Sequence, residues 1–189
     1  MTKSILLVGV GGQGTILASK ILTTGLMEAG YDVKMSEIHG MSQRGGSVSS
    51  QVRYGEKVMS PVIEKGTADI IVSFEKMEAL RSLDYLKADG TLVVNNEEIP
   101  SMSVITGDEI YPDDVLEEIE KHVKAKVVDA TKIAAELGNV KAANMVLLGT
   151  IIRAMGLEEI QWDKILEENV KPQFVELNKK ALKEGMKAV

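Results

Sequence analysis

The stretch SILLVGVGGQGTILASKIL, which runs from Ser4 to Leu22, contains the pattern that decides the fold. Its first part, Ser4–Val10, is almost continuously apolar, as is typical of a β-strand covered on both faces. The turn that follows, GVGGQG at Gly9–Gly14, matches G-x-G-x-x-G, and the apolar residues of Thr15–Ala29 recur with helical spacing. Gly30 is suited to end that helix, and YDVKMSE predicts a second strand. Together these segments predict the first βαβ unit of a doubly wound α/β fold.

Further strands are predicted for ADIIVSF, GTLVVNN, KAKVVDA and, as a short addition, MSVITG. The segment SVSSQVRYGEKVMSPVI alternates in polarity, which predicts two short strands around a turn at Tyr54–Lys57 and an antiparallel insertion at the edge of the sheet. EKMEALRSLDYLK and Asp113–Val123 predict helices. We therefore expect an α/β fold: a Rossmann-like, mostly parallel sheet flanked by helices, with a short antiparallel insertion.

The C-terminal third predicts helices only. Thr131 is expected to cap KIAAELG, and Pro172 is expected to open the last helix. Between them, Asn144–Met155 is apolar on nearly all sides, which places it at the centre of the fold or under another subunit. No repeat or long linker divides the chain, so residues 1–189 are expected to form a single domain.

The composition limits the classes of function. The 189 residues include no cysteine, which excludes disulfides, cysteine nucleophiles and thiolate-bound metal centres in this sequence. The net charge of −6 and the acidic stretch GDEIYPDDVLEEIEK argue against nucleic acid as a partner. SILLVGV is too short to span a membrane and lacks a signal-peptide cleavage pattern, so we expect no membrane partner and a cytoplasmic location.

The glycine turn is a candidate anion site. Glycines permit a tight turn and the close approach of a ligand, and the dipole of the following helix favours negative charge. The candidate binding residues are Gly9, Gly11, Gly12, Gln13 and Gly14. The alternative interpretation is that these glycines only let the strand and the helix pack closely.

A second candidate lies in SEIHGMSQRGGSV, Ser36–Val48, where the second strand should end. Arg44 is a permanent cation suited to phosphate or carboxylate, Gly45 and Gly46 allow close approach of the backbone, and His39 offers a titratable group. Ser42 and Gln43 add hydrogen-bonding groups. The alternative is an ordinary surface loop with a solvated arginine.

Glu37, in the same stretch, keeps a dinucleotide-binding interpretation open. It lies about 20 residues beyond the glycine turn, where an acid contacts the ribose hydroxyls of NAD in Rossmann folds. No evident group for hydride transfer accompanies it, since His122 belongs to an acidic helix and is expected to be solvated. A free-standing NAD(P)-binding oxidoreductase and a nucleotide-sensing regulatory module therefore stay as alternatives.

Three segments together resemble the gamma-type domain of the 2-oxoacid:ferredoxin oxidoreductases: VGVGGQGTILASKIL, SEIHGMSQRGGSVSSQVRYG and KAANMVLLG. The resemblance covers essentially the whole chain in the same order. The glycine turn alone is weak evidence, but its combination with the second segment is specific. Asn144 matches the "NM" element of this family, where it is expected to cap its helix or to reach the same cleft, the cap being favoured.

The resemblance implies an accessory subunit that is inactive alone. The complex would decarboxylate a 2-oxoacid, most closely an aryl type such as indolepyruvate, and would form an acyl-CoA, carbon dioxide and reduced ferredoxin. A larger partner subunit is expected to carry thiamine diphosphate and [4Fe-4S] clusters, because this chain has no cysteine and its Asp89-Gly90 and Asn95-Asn96 are too close together for a thiamine signature. The chain itself is expected to hold no cofactor alone. Its glycine turn and its Arg44 segment would contact either coenzyme A or the partner.

Overall fold

The computed structural model describes residues 2–39 and 46–189, and these residues form one six-stranded sheet with helices on both faces. The strand order across the sheet is β2-β3-β1-β4-β5-β6. The strands are β1 (Lys3–Val10), β2 (Asp32–His39), β3 (Ser47–Gly55), β4 (Ala68–Ser73), β5 (Leu86–Asn95) and β6 (Ala125–Val128).

Eight α-helices connect and follow the strands in the described residues. They are α1 (Thr15–Glu28), α2 (Lys76–Ser82), α3 (Met102–Thr106), α4 (Val115–Glu120), α5 (Ala130–Glu136), α6 (Ala143–Met155), α7 (Trp162–Asn169) and α8 (Val175–Lys187). The Rossmann-like α/β fold, the mostly parallel sheet and the helical C-terminus are therefore confirmed. Gly30 follows α1 with φ of 88°, the left-handed conformation expected of a residue that ends a helix.

The antiparallel insertion is present, but its predicted position at the edge is wrong. β3 pairs antiparallel with both β1 and β2 and so lies inside the sheet, while β2 forms the edge. The second short strand expected after Tyr54–Lys57 is absent, because residues 56–67 follow an irregular path. A plain βαβ unit would place β2 beside β1; here one strand separates them.

Two apolar clusters occupy the two faces of the sheet because side chains along each strand alternate. In β1, Ile5 and Leu7 face the larger cluster, which α1, α5, α6, α7 and α8 complete. Leu6 and Val8 face the smaller one, which α2 and α4 complete.

The apolar helix α6 is central rather than covered by another subunit. Residues 144–152 are all buried within the chain, mainly against α8. The two helix backbones approach so closely that a Cβ at Gly185 would lie 1.9 Å from the carbonyl oxygen of Val146, and one at Gly149 would lie 2.2 Å from that of Leu182. Glycine at both positions is thus a requirement of packing.

Three local predictions are corrected by the structure. MSVITG is the short helix α3, not a strand, because its residues close helical hydrogen bonds after Ser101. The acidic helix is confined to Val115–Glu120. Thr131 lies inside α5, whose N-cap is Asp129, and its hydroxyl donates instead to Glu97. Pro172 does occupy the first position of a short 3₁₀ turn that leads into α8. None of the helices in residues 2–39 and 46–189 is long and apolar enough to span a membrane.

Candidate functional site

The candidate site lies where the chain changes direction across the sheet. From β1 the chain passes to β2 and β3 on one side, and then crosses to β4 on the other. Ligands of open α/β sheets bind at such switch points, beyond the carboxyl ends of the strands. The glycine turn follows β1 at this point, and two cavities of about 390 and 500 Å³ adjoin it, both lined by Gly12 and Gly14.

The glycines of the turn have different roles. Gly9 and Gly14 are required by packing: a Cβ at Gly9 would lie 2.9 Å from the Cβ of Phe74, and one at Gly14 would lie 2.6 Å from the Asn144 amide. Gly12 has φ of 105° with open space around its Cβ position, so a ligand can approach its backbone. Packing therefore explains two of the glycines, whereas Gly12 fits the interpretation that a ligand approaches the turn closely.

The amino end of α1 has neither a side-chain cap nor an acidic residue in its first turn. Its N-cap, Gly14, has no side chain to accept a hydrogen bond, and the first turn contains no acidic residue. The first backbone amides of a helix have no intrahelical acceptor, and the helix dipole adds partial positive charge there. An anionic group is thus the ligand that this end of α1 favours.

Gln13 is part of the fold rather than a free binding residue. Its Oε1 accepts from the backbone amide of Val10 at 2.8 Å, and its Nε2 donates to the carbonyl of Phe74 at 2.8 Å. The side chain therefore ties the end of β1 to the end of β4. The backbone amide of Gly11 is also engaged, since it donates to the carbonyl of Gly46 at 2.8 Å.

The Gly11–Gly46 hydrogen bond brings the two predicted motifs together. Gly46 lies against the glycine turn, and His39 lines the 390 Å³ cavity with Gly11, Gly12 and Thr15. The other predicted residues of that segment, Ser42, Gln43, Arg44 and Gly45, lie outside the described residues.

Asn144 reaches the turn instead of capping its helix, so the favoured cap interpretation is wrong. The N-cap of α6 is Ala142, and Asn144 is the second residue of the helix, where its Nδ2 donates to the carbonyl of Gly14 at 3.4 Å. Within the described residues, its Oδ1 is buried without a hydrogen-bond partner. Because its Nδ2 is engaged by Gly14 and the residue is only 5% exposed, Asn144 supports the turn and does not act as an anion donor.

Glu37 does not occupy the position of a ribose-binding acid. β2 lies two strand spacings from β1, roughly 9–10 Å, because β3 separates them. The Glu37 carboxylate accepts a hydrogen bond from Ser19 on α1 at 3.1 Å. This geometry does not favour the NAD alternative. His122 is exposed beside Glu118, as expected for a solvated residue.

A buried polar cluster beside the turn was not anticipated from the sequence. Glu75, the N-cap of α2, and Glu78, in the first turn of α2, are both almost fully buried. Glu75 accepts from the amide of Glu78 at 2.9 Å and from the hydroxyl of Tyr111, while Glu78 accepts from Ser47 and from Arg81. Burial and the adjacent Glu75 carboxylate raise the pKa of the Tyr111 hydroxyl.

This cluster lines a cavity of about 340 Å³ on the opposite face of the sheet from α1. The sequence contained one signal for it, namely two acids immediately after a buried strand at the switch point. The contact with Tyr111 bridges residues distant in sequence, so no local pattern could have predicted it.

Comparison with known proteins shows the family to which the chain belongs. The pyruvate ferredoxin/flavodoxin oxidoreductase profile matches residues 4–188. The chain belongs to this family. Indolepyruvate oxidoreductase subunit IorB of Thermococcus kodakarensis is 40% identical, with 98% of this chain and 95% of that protein covered. The subunit of the same name from Archaeoglobus fulgidus is 38% identical over 98% of this chain and 94% of the relative.

Solved structures place this family member on a known fold. Pyruvate oxidoreductase subunit PORC of Thermotoga maritima superposes with a TM-score of 0.73 at 25% identity, covering 98% of this chain and 96% of that one. The gamma subunit of a keto/oxoacid ferredoxin oxidoreductase from Geobacter sulfurreducens has the same fold, with a TM-score of 0.71 at 23% identity over 98% and 97% of the two chains.

Proposed function

We propose that this chain is the accessory subunit of an oxidoreductase that converts an aryl 2-oxoacid such as indolepyruvate, with coenzyme A, into an acyl-CoA, carbon dioxide and reduced ferredoxin. The relatives at 38–40% identity are named for indolepyruvate, whereas a pyruvate/ketoisovalerate oxidoreductase gamma subunit from Pyrococcus abyssi is 28% identical. This difference supports the aryl substrate within the family.

The decarboxylation and the electron transfer belong to a larger partner subunit in this proposal. Thiamine diphosphate supplies the decarboxylation chemistry when bound, and iron–sulfur clusters require thiolates that this sequence does not contain. This chain is therefore inactive alone and works in contact with the thiamine-bearing subunit.

The role of this chain is to hold the anionic part of coenzyme A, and the observation that carries it is the open amino end of α1. Gly12 lets a ligand approach the backbone, and the uncapped first turn of α1 presents its amides and contains no acidic residue. Gln13 and Asn144 hold the turn in place from either side. The predicted site residues Gly9, Gly11, Gly14 and Gly46 form the frame around this position, and Arg44 is proposed as an additional contact.

Anoxic co-purification tests the proposal. The tagged chain should bring down a larger subunit that contains iron and thiamine diphosphate, and this complex should reduce ferredoxin with indolepyruvate only when coenzyme A is present. The isolated chain should show no turnover. Recovery of the chain alone, together with micromolar NAD binding that is lost in Glu37→Ala, would contradict the proposal.

A further inference from the structure

A groove with an apolar lining runs beside the glycine turn, between the first turn of α1, the start of α6 and the connection from α7 to α8. Its volume is about 330 Å³. Its apolar lining residues are Leu17, Ala142, Val170, Phe174 and Leu177. Leu17 and Phe174 each leave 37% of their surface exposed, so the described part of the chain leaves part of this lining uncovered. A bound partner would bury it.

Asparagine is the main polar residue type along the groove. The four asparagines that line it are Asn139, Asn144, Asn169 and Asn178. Three of these amides, all but that of Asn144, are fixed by one hydrogen bond to a nearby backbone group at 2.8–3.0 Å. A primary amide offers both a carbonyl acceptor and N–H donors, as a peptide bond does. Each of these three amides therefore keeps one end outside that hydrogen bond, with the chemistry needed to bind the backbone of an extended polypeptide.

Asn144 contributes its position rather than a direct contact. The residue is only 5% exposed, and within the described residues its Oδ1 is buried without a hydrogen-bond partner. Because the chain encloses this oxygen, a segment in the groove does not reach it. Asn144 instead links the groove to the glycine turn through its hydrogen bond to the carbonyl of Gly14.

The charge of the groove selects an acidic partner. Among the described residues, the charged ones that line it are Lys141 and Lys171, and neither lysine forms an ion pair with another described residue. The chain as a whole has a net charge of −6, so a groove whose described charged residues are both basic differs in sign from the protein overall. Complementary charge fixes register and excludes wrong partners.

We propose that this groove binds an extended, acidic segment of the larger subunit. Asn139, Asn169 and Asn178 bind the backbone of that segment. The apolar lining takes its apolar side chains, and the lysines pair with its carboxylates. The inference rests on the proposed function, because it requires that a larger subunit exists. Since the groove shares Leu17, Lys141 and Asn144 with the cavity beside the glycine turn, the bound segment would anchor the partner next to the coenzyme A position.

Two single-cysteine variants of the full chain test the location of the contact. In Lys171→Cys the thiol lies in the groove, and in the control Lys180→Cys it lies exposed on α8 outside the groove. The sequence has no other cysteine, so the mass of this chain reports modification of that one thiol. On assembly with the larger subunit, maleimide modification at position 171 should slow at least tenfold, while position 180 should change less than twofold. Equal rates at position 171 in the free and the assembled chain would overturn the proposal.

Carbodiimide crosslinking of the unmodified complex tests the identity of the occupant. Zero-length crosslinks from Lys171 should reach aspartate or glutamate of the larger subunit, and Lys171→Glu should weaken assembly about tenfold while Lys180→Glu leaves it within twofold. Crosslinks from Lys171 to a second copy of this chain would refute the assigned occupant. If no larger subunit co-purifies at all, the proposed function fails; if the complex forms but Lys171 is neither protected nor crosslinked, only the groove assignment fails.

Discussion

A carboxylate placed at residue 16 tests whether the amino end of α1 binds an anion. Ile16 lies in the first turn of α1, is 52% exposed and lines the cavity with Gly12, so Ile16→Glu should be accommodated without repacking. Two like unit charges about 6 Å apart repel by about 3 kcal/mol at an effective dielectric constant near 20. Screening over a Debye length of about 8 Å lowers this to roughly 1.4 kcal/mol, which corresponds to about a tenfold rise in the KM for coenzyme A.

The same substitution should stabilise the isolated chain. A carboxylate in the first turn interacts favourably with the helix dipole, by about 0.3–1 kcal/mol. Ile16→Gln is the matched control, because it has the same size and polarity change without the charge. The assay compares the two variants in the assembled complex by KM for coenzyme A at low and high salt, and as isolated chains by urea unfolding. If Glu and Gln give the same KM at low salt, the anion site is not at the amino end of α1.

Two further predictions concern stability, measured by urea unfolding of the isolated chain. Gly185→Ala should destabilise it by about 3 kcal/mol, the upper end for overpacking, because the new Cβ would meet the backbone of Val146. The control Lys187→Ala, on the same helix, should change the free energy of unfolding by less than about 0.5 kcal/mol. Equal effects of the two substitutions would contradict the close packing of α6 and α8. Asp69→Asn should cost roughly 1 kcal/mol at pH 7. Burial works to raise the pKa of Asp69, but hydrogen bonds from Lys87, another lysine and a backbone amide together hold it below its ordinary value. A depressed folded-state pKa stabilises the protein at pH values above the ordinary pKa near 3.9. The difference in the free energy of unfolding between the original chain and Asp69→Asn should therefore disappear as the pH falls through the folded-state pKa. A difference that persists in acid would refute this assignment.

The glycine turn shows how much of the candidate site the local sequence pattern predicts. Its position between a buried strand and a helix was predictable, since apolar periodicity and glycine placement are local properties of the chain. The different roles of its glycines were not predictable. Gly9 and Gly14 are closed to a side chain because of Phe74 and Asn144, which reach the turn from other parts of the chain.

The errors have the same origin. MSVITG has the composition of a strand, but its backbone closes local helical hydrogen bonds as α3. The alternating polarity of β3 correctly indicated an antiparallel strand, but it carried no information on which strands it would pair with.

The amino-acid sequence by itself determined the α/β class, the order of most elements, the glycine turn and, through three motifs in order, the family. These features follow from short-range patterns of polarity and from residue types with special backbone freedom. The tertiary structure alone decided that β3 lies between β1 and β2, that Gln13 and Glu37 are engaged internally, and that four asparagines converge on one groove. Each of these depends on contacts between segments far apart in the chain, and such contacts arise only when the apolar faces of the sheet and the helices are buried together.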